Sequence, residues 1–406
     1  MNTRSDDSRL PAFNRGTTRS PAGWRQRLAA ADLGMLPIVL GLIGIWLIFW
    51  SANDKFLSPL NLTNLMLQMA ALGTLSTGIF LVLLLGEIDL SAGIVSGLCA
   101  AVMAVLNVKA GVPGPLAVLA GLGAGVLIGL FQGAWITRLR IPSFIVTLAG
   151  QIGWQGALLV VLGTTGTINL RDPFITGLAG TFFKEPLIGW LIAALLVIGY
   201  GLTLIFDRRR RLASHLPAPS KQSLAGRTMS VAVVVIAAML VFNADRGLPL
   251  AVVIFAGVVI VFDWITKHTV YGCHIYAVGG SAEAARRAGI RVDRVRISVF
   301  AVASGIAALA GILAASRLLA VNQSSGGSDF LLNAIAATVI GGTSLFGGRG
   351  TAWSALIGAL VIQSISNGMD LLAFESSLKF IITAAVLLAA VTIDAVARRR
   401  REAAGR

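Results

Sequence analysis

The stretch LTNLMLQMAALGTLSTGIFLVLLLGEIDLSAG, residues 62–93, decides the fold. Its first part, 62–85, holds no Asp, Glu, Lys or Arg, and it is long enough for a helix to cross a hydrocarbon layer of about 30 Å. Two carboxylates, Glu87 and Asp89, mark the end of that run, and a second run opens at Leu90.

Outward from this pair the same grammar repeats. Uncharged or nearly uncharged apolar runs lie at 33–50, 62–85, 90–108, 114–136, 143–162 and 187–206. Further runs follow at 229–243, 249–266, 296–320, 330–346, 351–368 and 378–395. The composition agrees: of 406 residues 56% are hydrophobic and 13% charged, with a mean hydropathy of +0.83, whereas soluble domains carry about 25% charged residues. The chain is therefore read as an all-α integral membrane protein, a polytopic helical bundle of about twelve crossings (10 to 12), with both termini cytoplasmic.

The net charge of +15 would suggest nucleic acid if it covered one face. Its placement points to a membrane instead. With a cytoplasmic N-terminus, 26 of the 33 Lys and Arg fall on the inner side, as the positive-inside rule requires. They sit in the first tail, at Arg138 and Arg140, from Arg208 to Arg227, from Lys267 to Arg296, at Arg349 and after Arg398. Residues 1–32 and 398–406 read as basic cytoplasmic tails, the first disordered because it is too polar to bury a core. Residues 33–397 form the transmembrane domain, with a cytoplasmic loop at 267–296. The first run lacks a small-residue cleavage site and is expected to stay as an anchor.

Three runs depart from a plain span. Segment 229–243 is short, Asn107 interrupts 90–108, and 330–346 runs into the glycine-rich string Gly341-Gly342-Thr343-Ser344-Leu345-Phe346-Gly347-Gly348. Such glycine density fits a broken helix, tolerated at membrane depth where protein or a water-filled cavity surrounds it. Gly121, Gly125, Gly129 and Gly133 recur every fourth residue, a face on which two backbones can approach closely.

Catalytic signatures are missing. The string Gly342 to Arg349 lacks the Lys and Ser or Thr of a phosphate-binding loop, so no ATP site is expected. There is no Gly-x-Ser-x-Gly elbow and no His-Glu-x-x-His helix. His215, His268 and His274 are scattered among loops, and Cys99 and Cys273 form neither a disulfide framework nor a metal cluster. Two features remain. The turn Gly86-Glu87-Ile88-Asp89-Leu90-Ser91-Ala92-Gly93 sets carboxylates at a membrane boundary, either as a functional pair or as a turn in which Asp89 or Ser91 caps the next helix. The loop sequence Glu283-Ala284-Ala285-Arg286-Arg287-Ala288-Gly289 reads as a short helix stopped by glycine, either a solvated basic helix near lipid headgroups or a docking helix.

Glu283-Ala284-Ala285-x-x-x-Gly289 resembles the docking signature of bacterial ATP-binding cassette importer permeases. The turn Gly86 to Gly93, the string Tyr276-Ala277-Val278-Gly279-Gly280 and the segment Ala334 to Ser344 are similar to one branch of that family, the monosaccharide permeases of the ribose, xylose and arabinose group. The resemblance spans roughly 35–397, and the added stretch at about 187–248 looks most like the xylose permeases. Glu87 departs from the pattern, since many relatives carry a small or uncharged residue there.

The resemblance implies a permease subunit of the bacterial inner membrane and not an enzyme. Its partners would be a second copy of itself, a cytoplasmic ATPase subunit that holds the ATP and Mg, a periplasmic sugar-binding protein and membrane lipid, with no nucleic acid. Glu283, Ala284, Ala285, Arg286, Arg287 and Gly289 would couple to the ATPase. Asp89, Ser91, Asn333, Gly341, Gly342, Thr343 and Ser344 are the candidates for the translocation path, because a neutral polyol needs hydroxyl and amide partners. No cofactor or metal is expected in the chain itself. The alternatives are an ion-coupled secondary transporter, which would carry charged relays at mid-span, a membrane-embedded enzyme, and a permease of the same fold for ribose, arabinose or a branched-chain amino acid.

Overall fold

The computed structural model describes residues 36–386, with 388 and 392 beyond them; the expected tails lie outside the described residues. The chain opens with α1 (Leu36–Ala52), α2 (Pro59–Leu84), α3 (Ala92–Val108), α4 (Gly114–Leu139) and α5 (Ser143–Leu162). Strand β1 (Thr167–Asn169), the short helix α6 (Pro173–Gly180) and β2 (Phe182–Phe183) lead to a hairpin of α7 (Pro186–Ala213) and α8 (Lys221–Ala244). Next come β3 (Leu248–Pro249), α9 (Leu250–His268), α10 (Val270–Gly280) and α11 (Ala282–Arg287). The last elements are α12 (Val292–Leu318), β4 (Ala320–Asn322), α13 (Ser328–Ile340), α14 (Ala352–Leu371) and α15 (Ser376–Val386).

Among the described residues seven helices are long and apolar enough to cross a membrane: α2, α4, α5, α7, α8, α9 and α12. Helices α1, α3, α13 and α15 are apolar but shorter. The brief run at 229–243 belongs to a helix of 24 residues, because the chain from Lys221 joins it and the Ser220 hydroxyl caps its start by accepting from Ser223 N at 3.1 Å. The run at 330–346 contains a helix of only 13 residues, and its glycines end it.

Helix α2 starts on a Ser58 cap with Pro59 in the first turn, where a missing amide hydrogen costs nothing. It runs through the centre of the bundle, and its hydroxyls satisfy themselves locally: Thr74, Ser76 and Thr77 donate to carbonyls one turn back at 2.7 to 2.8 Å. Its amides pair across to α14, where Asn61 and Asn367 exchange bonds of 2.8 and 3.0 Å. Helix α12 packs beside it and against α3, α4 and α6.

The row of glycines on α4 explains the closest of these packings. A Cβ on Gly121 would come within 2.9 Å of the Cys99 carbonyl oxygen, one on Gly125 within 2.6 Å of the Ser304 oxygen, and one on Gly133 within 2.8 Å of the Ile297 Cα. Gly123, off that row, faces nothing within 4 Å. In apolar surroundings helices associate through such close packing, not through expulsion of water.

Two short antiparallel pairs tie connections together, β1 with β4 (Ile168 opposite Val321) and β2 with β3 (Phe183 opposite Leu248). The α7–α8 hairpin leans on the bundle through a small cluster of Ala193, Met239, Phe242 and Leu248.

Candidate functional site

One end of the bundle gathers the carboxyl end of α2, the amino end of α12, the loop 341–351 after α13, and all of α10 and α11. Helix α11 is the exposed part. The Ser281 hydroxyl caps it by accepting from Ala284 N at 3.2 Å, and Glu283 lies in the first turn, where the positive end of the helix dipole favours a carboxylate. Glu283 pairs with Arg287 at 3.1 Å and with Arg286 at 3.9 Å, all three side chains well exposed. Ala285 is the residue the bundle covers. Gly289 has a φ of +85°. Around it Ile290 N donates to Ala285 O and Gly289 N to Arg286 O, both at 3.0 Å, the paired bonds that close a helix on a left-handed residue.

Behind α11 three chain segments meet backbone to backbone. In the last turn of helix α10 stands Gly279, where any Cβ would overlap the Leu84 carbonyl oxygen at the end of α2. That oxygen also accepts from Gly348 N at 2.9 Å. A Cβ on Gly347 would lie 2.6 Å from the Gly279 oxygen and 2.8 Å from Gly86 N. The Tyr276 hydroxyl donates to Gly350 O at 2.7 Å, fixing α10 to the loop 341–351. Burial raises the Tyr276 phenol above its ordinary value, with Asp263 adding to the shift.

The turn from Gly86 to Ser91 holds two carboxylates in different surroundings. Glu87 Oε1 pairs with Arg296 at 2.9 Å, on the first turns of α12. Asp89 is buried, and its Oδ1 accepts from Ser91 N at 2.8 Å and from the Ser91 hydroxyl at 2.7 Å. Ser91 in turn accepts from the Gln132 amide of α4 at 2.8 Å. Ser91 sits at the start of α3 without making a capping bond of its own; Asp89 binds the amide instead. Burial pushes the Asp89 carboxyl up, and the bonds from Ser91 oppose it. Asp89 Oδ2 and Gln132 Oε1 have no partner among the described residues.

Beside this turn a cleft of about 320 Å³ opens between α3, α5 and the amino end of α13, within the about 300–1,000 Å³ of small-molecule pockets. Leu90, Ile94 and Leu331 supply apolar walls, and Gln151, Gln155 and Ser328 supply amide and hydroxyl groups. Non-helical backbone at 323–327 reaches this depth because Gly93 and Gly97 leave room for it: a Cβ on Gly93 would lie 2.9 Å from the Gly326 oxygen. Such a broken segment is tolerated where it borders a cavity.

The sequence candidates therefore divide. Asp89 and Ser91 adjoin Leu90 at the cleft wall. Gly341, Gly342, Thr343 and Ser344 stand at the other end of α13, at the start of the loop whose Gly347 and Gly348 enter the backbone junction; Gly341 itself packs against the Ser354 backbone of α14. There Gly342, at φ +103°, closes α13 with the same paired bonds as Gly289, Thr343 N to Thr338 O and Gly342 N to Val339 O. Thr343 is buried, its hydroxyl without a partner among the described residues. Ser344 accepts from Phe346 N at 3.2 Å. Asn333 lies half-buried midway along α13. Sequence reasoning missed Gln132, Gln151 and Gln155, although two amides one turn apart in an otherwise apolar run, 151 and 155, were a signal to be used.

At the opposite end of the bundle a bowl of about 550 Å³ is lined by Asn107, Lys109, Arg171 and Asp172 among others. The Asn107 amide donates to Asp172 at 3.1 Å, and Lys109 to the Leu162 carbonyl at 3.0 Å.

Residues 61–391 match the family described as branched-chain amino acid transport system / permease component. The xylose transport system permease protein XylH of Escherichia coli strain K12 is 35% identical over 92% of this chain and 94% of its own length. XylH of Haemophilus influenzae is 33% identical over 91% of this chain and 98% of its length. The ribose import permease protein RbsC of Bacillus subtilis is 34% identical over 87% and 91% respectively. No solved structure gives a significant match.

Proposed function

This chain belongs to the branched-chain amino acid transport system / permease component family, and from that premise we propose that it is the membrane-spanning subunit of an ATP-binding cassette importer for D-xylose. The carrying observation is the near-full-length likeness to permeases named for xylose transport. Ribose is the second cargo to test, because the ribose permease is also similar along most of the chain.

Twelve crossings are built from α1 to α5, α7 to α9, and α12 to α15, with both termini in the cytoplasm of a bacterial inner membrane. The basic helix ends at Arg138, Arg208 to Arg211 and Lys267 support this orientation. A separate cytoplasmic ATPase holds the ATP and Mg and pushes on α11, whose exposed Glu283, Arg286 and Arg287 face away from the bundle. Ala284 belongs to the same short helix, Ala285 anchors it and Gly289 ends it. A second copy of the chain completes the channel, and a periplasmic sugar-binding protein delivers cargo at the Lys109 and Arg171 end.

Force on α11 reaches α10 through one residue, Ser281, and reaches the turn before α3 through the Gly279, Gly347 and Gly86 contacts. Backbones that touch without intervening side chains shift together. The path for the sugar runs by the cleft, where Gln151, Gln155 and Ser328 offer hydrogen-bond partners to hydroxyls while Leu90 and Ile94 keep binding weak. Asp89 and Ser91 shape that wall from behind. Gly341 to Ser344 act at the hinge end of α13 and not as sugar ligands.

The test is uptake of radiolabelled D-xylose into proteoliposomes holding the chain, its ATPase and the sugar-binding protein. Uptake is expected to require ATP and to resist competition by ribose or arabinose. Uptake driven by an ion gradient alone would establish the secondary-transporter alternative.

A further inference from the structure

We propose that the Glu87–Arg296 ion pair is the latch through which α11 moves the wall of the cleft, a positioning role resting on the docking reading above. Arg296 lies on the first turns of α12, just past α11 and its glycine stop, and so travels with that helix. Glu87 lies three residues before Leu90, which lines the cleft. The bond between them is 2.9 Å long, and only 13% of the Glu87 side chain and 27% of the Arg296 side chain is exposed. Charge-assisted bonds shielded in this way are the strong ones. The glycine junction beside it transmits compression, since backbones in contact cannot interpenetrate, but the hydrogen bonds that resist separation there, Gly348 N to Leu84 O and the Tyr276 hydroxyl to Gly350 O, join α2, α10 and the loop 341–351 and not α12. The ion pair supplies the missing pull. It makes the turn follow α12 in both directions of the cycle.

Other charges near the turn do not substitute for it. Asp89 is engaged by Ser91, which leaves Glu87 as the carboxylate joined to α12. The pair bridges two segments about two hundred residues apart in sequence, one leading from the coupling helix and one leading to the cavity.

The experiment uses the whole importer purified with its ATPase in nanodiscs, in a Cys273→Ser background. Ile152→Cys, at the exposed edge of the cleft, serves as a reporter of maleimide labelling. Trapping the ATPase with ATP and vanadate is expected to change the labelling rate of the otherwise unaltered chain about tenfold, within the range of ordinary coupling free energies. In E87Q and R296Q the change is expected to fall below about twofold, with the same amount of folded complex and of bound ATPase. The charge-swapped E87R/R296E chain is expected to recover most of the response. Full response in both single variants overturns the proposal, as does a swapped pair no better than either single. A loss of folded complex that parallels the loss of response marks a structural tie only and overturns it too. A reporter that ignores vanadate in the unaltered chain removes the docking reading itself, a result separable from failure of the latch.

Discussion

Helices α2 and α8 look alike as strings, at 26 and 24 residues and both apolar enough to cross a membrane, yet 94% of the apolar window of α2 is buried inside the protein and 6% of that of α8. Hydropathy measures avoidance of water, and lipid and protein satisfy it equally. The two helices differ in their small and polar residues. Helix α2 carries Asn61, Gln68, Thr74, Ser76 and Thr77, with Gly73 and Gly78 on either side of the hydroxyl-bearing residues. The apolar part of α8 is Val, Ile, Ala, Met and Leu with one Phe, which lipid chains accept without partners.

Glycine sharpens the contrast most. On α12, a Cβ at Gly311 would overlap the Ser96 carbonyl oxygen, whereas on α8 a Cβ at Gly226 meets nothing within 4 Å. Gly311→Leu is expected to exceed the about 1–3 kcal/mol of ordinary overpacking, because the opposing atom is backbone and cannot rotate away. The yield of monodisperse, detergent-solubilised protein should collapse. Gly226→Leu should leave that yield unchanged; equal yields from the two variants would remove the distinction between centre and rim.

The next effect is a cavity. Phe255 of α9 is fully buried and its ring fills the space that Gly73 leaves on α2. Phe255→Ala is expected to cost about 3–5 kcal/mol, read as a lower midpoint of thermal unfolding in detergent. Restoring volume from the other side with Gly73→Leu should recover part of it. No recovery would mean that the ring holds α9 by contacts other than those with α2.

How much of this was legible in the string follows the same physics. Uncharged length announced the seven helices long and apolar enough to cross a membrane among the described residues, and the fourfold glycine spacing on α4 announced its close packing, because both depend on residues within one helix. The cut in 330–346 was visible in its glycines. Which helix is central was not visible, since burial of α2 depends on α9, α12 and α14, distant in sequence. At the site, the exposed α11 was read from Glu283 to Gly289 because a short capped helix is a local object. The Glu87–Arg296 pair, the Gln132–Ser91–Asp89 chain and the cleft at Gln151 and Gln155 are products of folding across the whole chain.

The coupling helix lies between the extremes. Gly289→Ala forces a side chain into φ +85°, at about 1–2 kcal/mol, with no steric clash because nothing lies within 4 Å of the added Cβ. Unfolding midpoint should shift little. ATP-dependent uptake should fall several-fold, since α11 would end in a different direction under the ATPase. Uptake equal to that of the unaltered chain would show that the glycine stop is not needed for coupling.

The smallest expected effect tests the comparison itself. Val234 on α8 is 69% exposed and Val259 on α9 is fully buried. In a soluble protein a buried Val changed to Ala would lose the transfer energy of two methyl groups, about 0.8 kcal/mol each. In a bilayer that term is nearly absent, because the methyls leave protein for lipid of equal apolarity. What remains is the cavity. Around Val259 the neighbours are fixed and the void persists, so about 1–2 kcal/mol should be lost. Around Val234 lipid chains flow into the gap, and the change should stay within about 0.5 kcal/mol. Both are measurable as unfolding midpoints in nanodiscs. If Val234→Ala proved as costly as Val259→Ala, the outer face of α8 would have to be packed against another protein surface, and the α7–α8 hairpin would be part of an assembly contact instead of a lipid-facing rim.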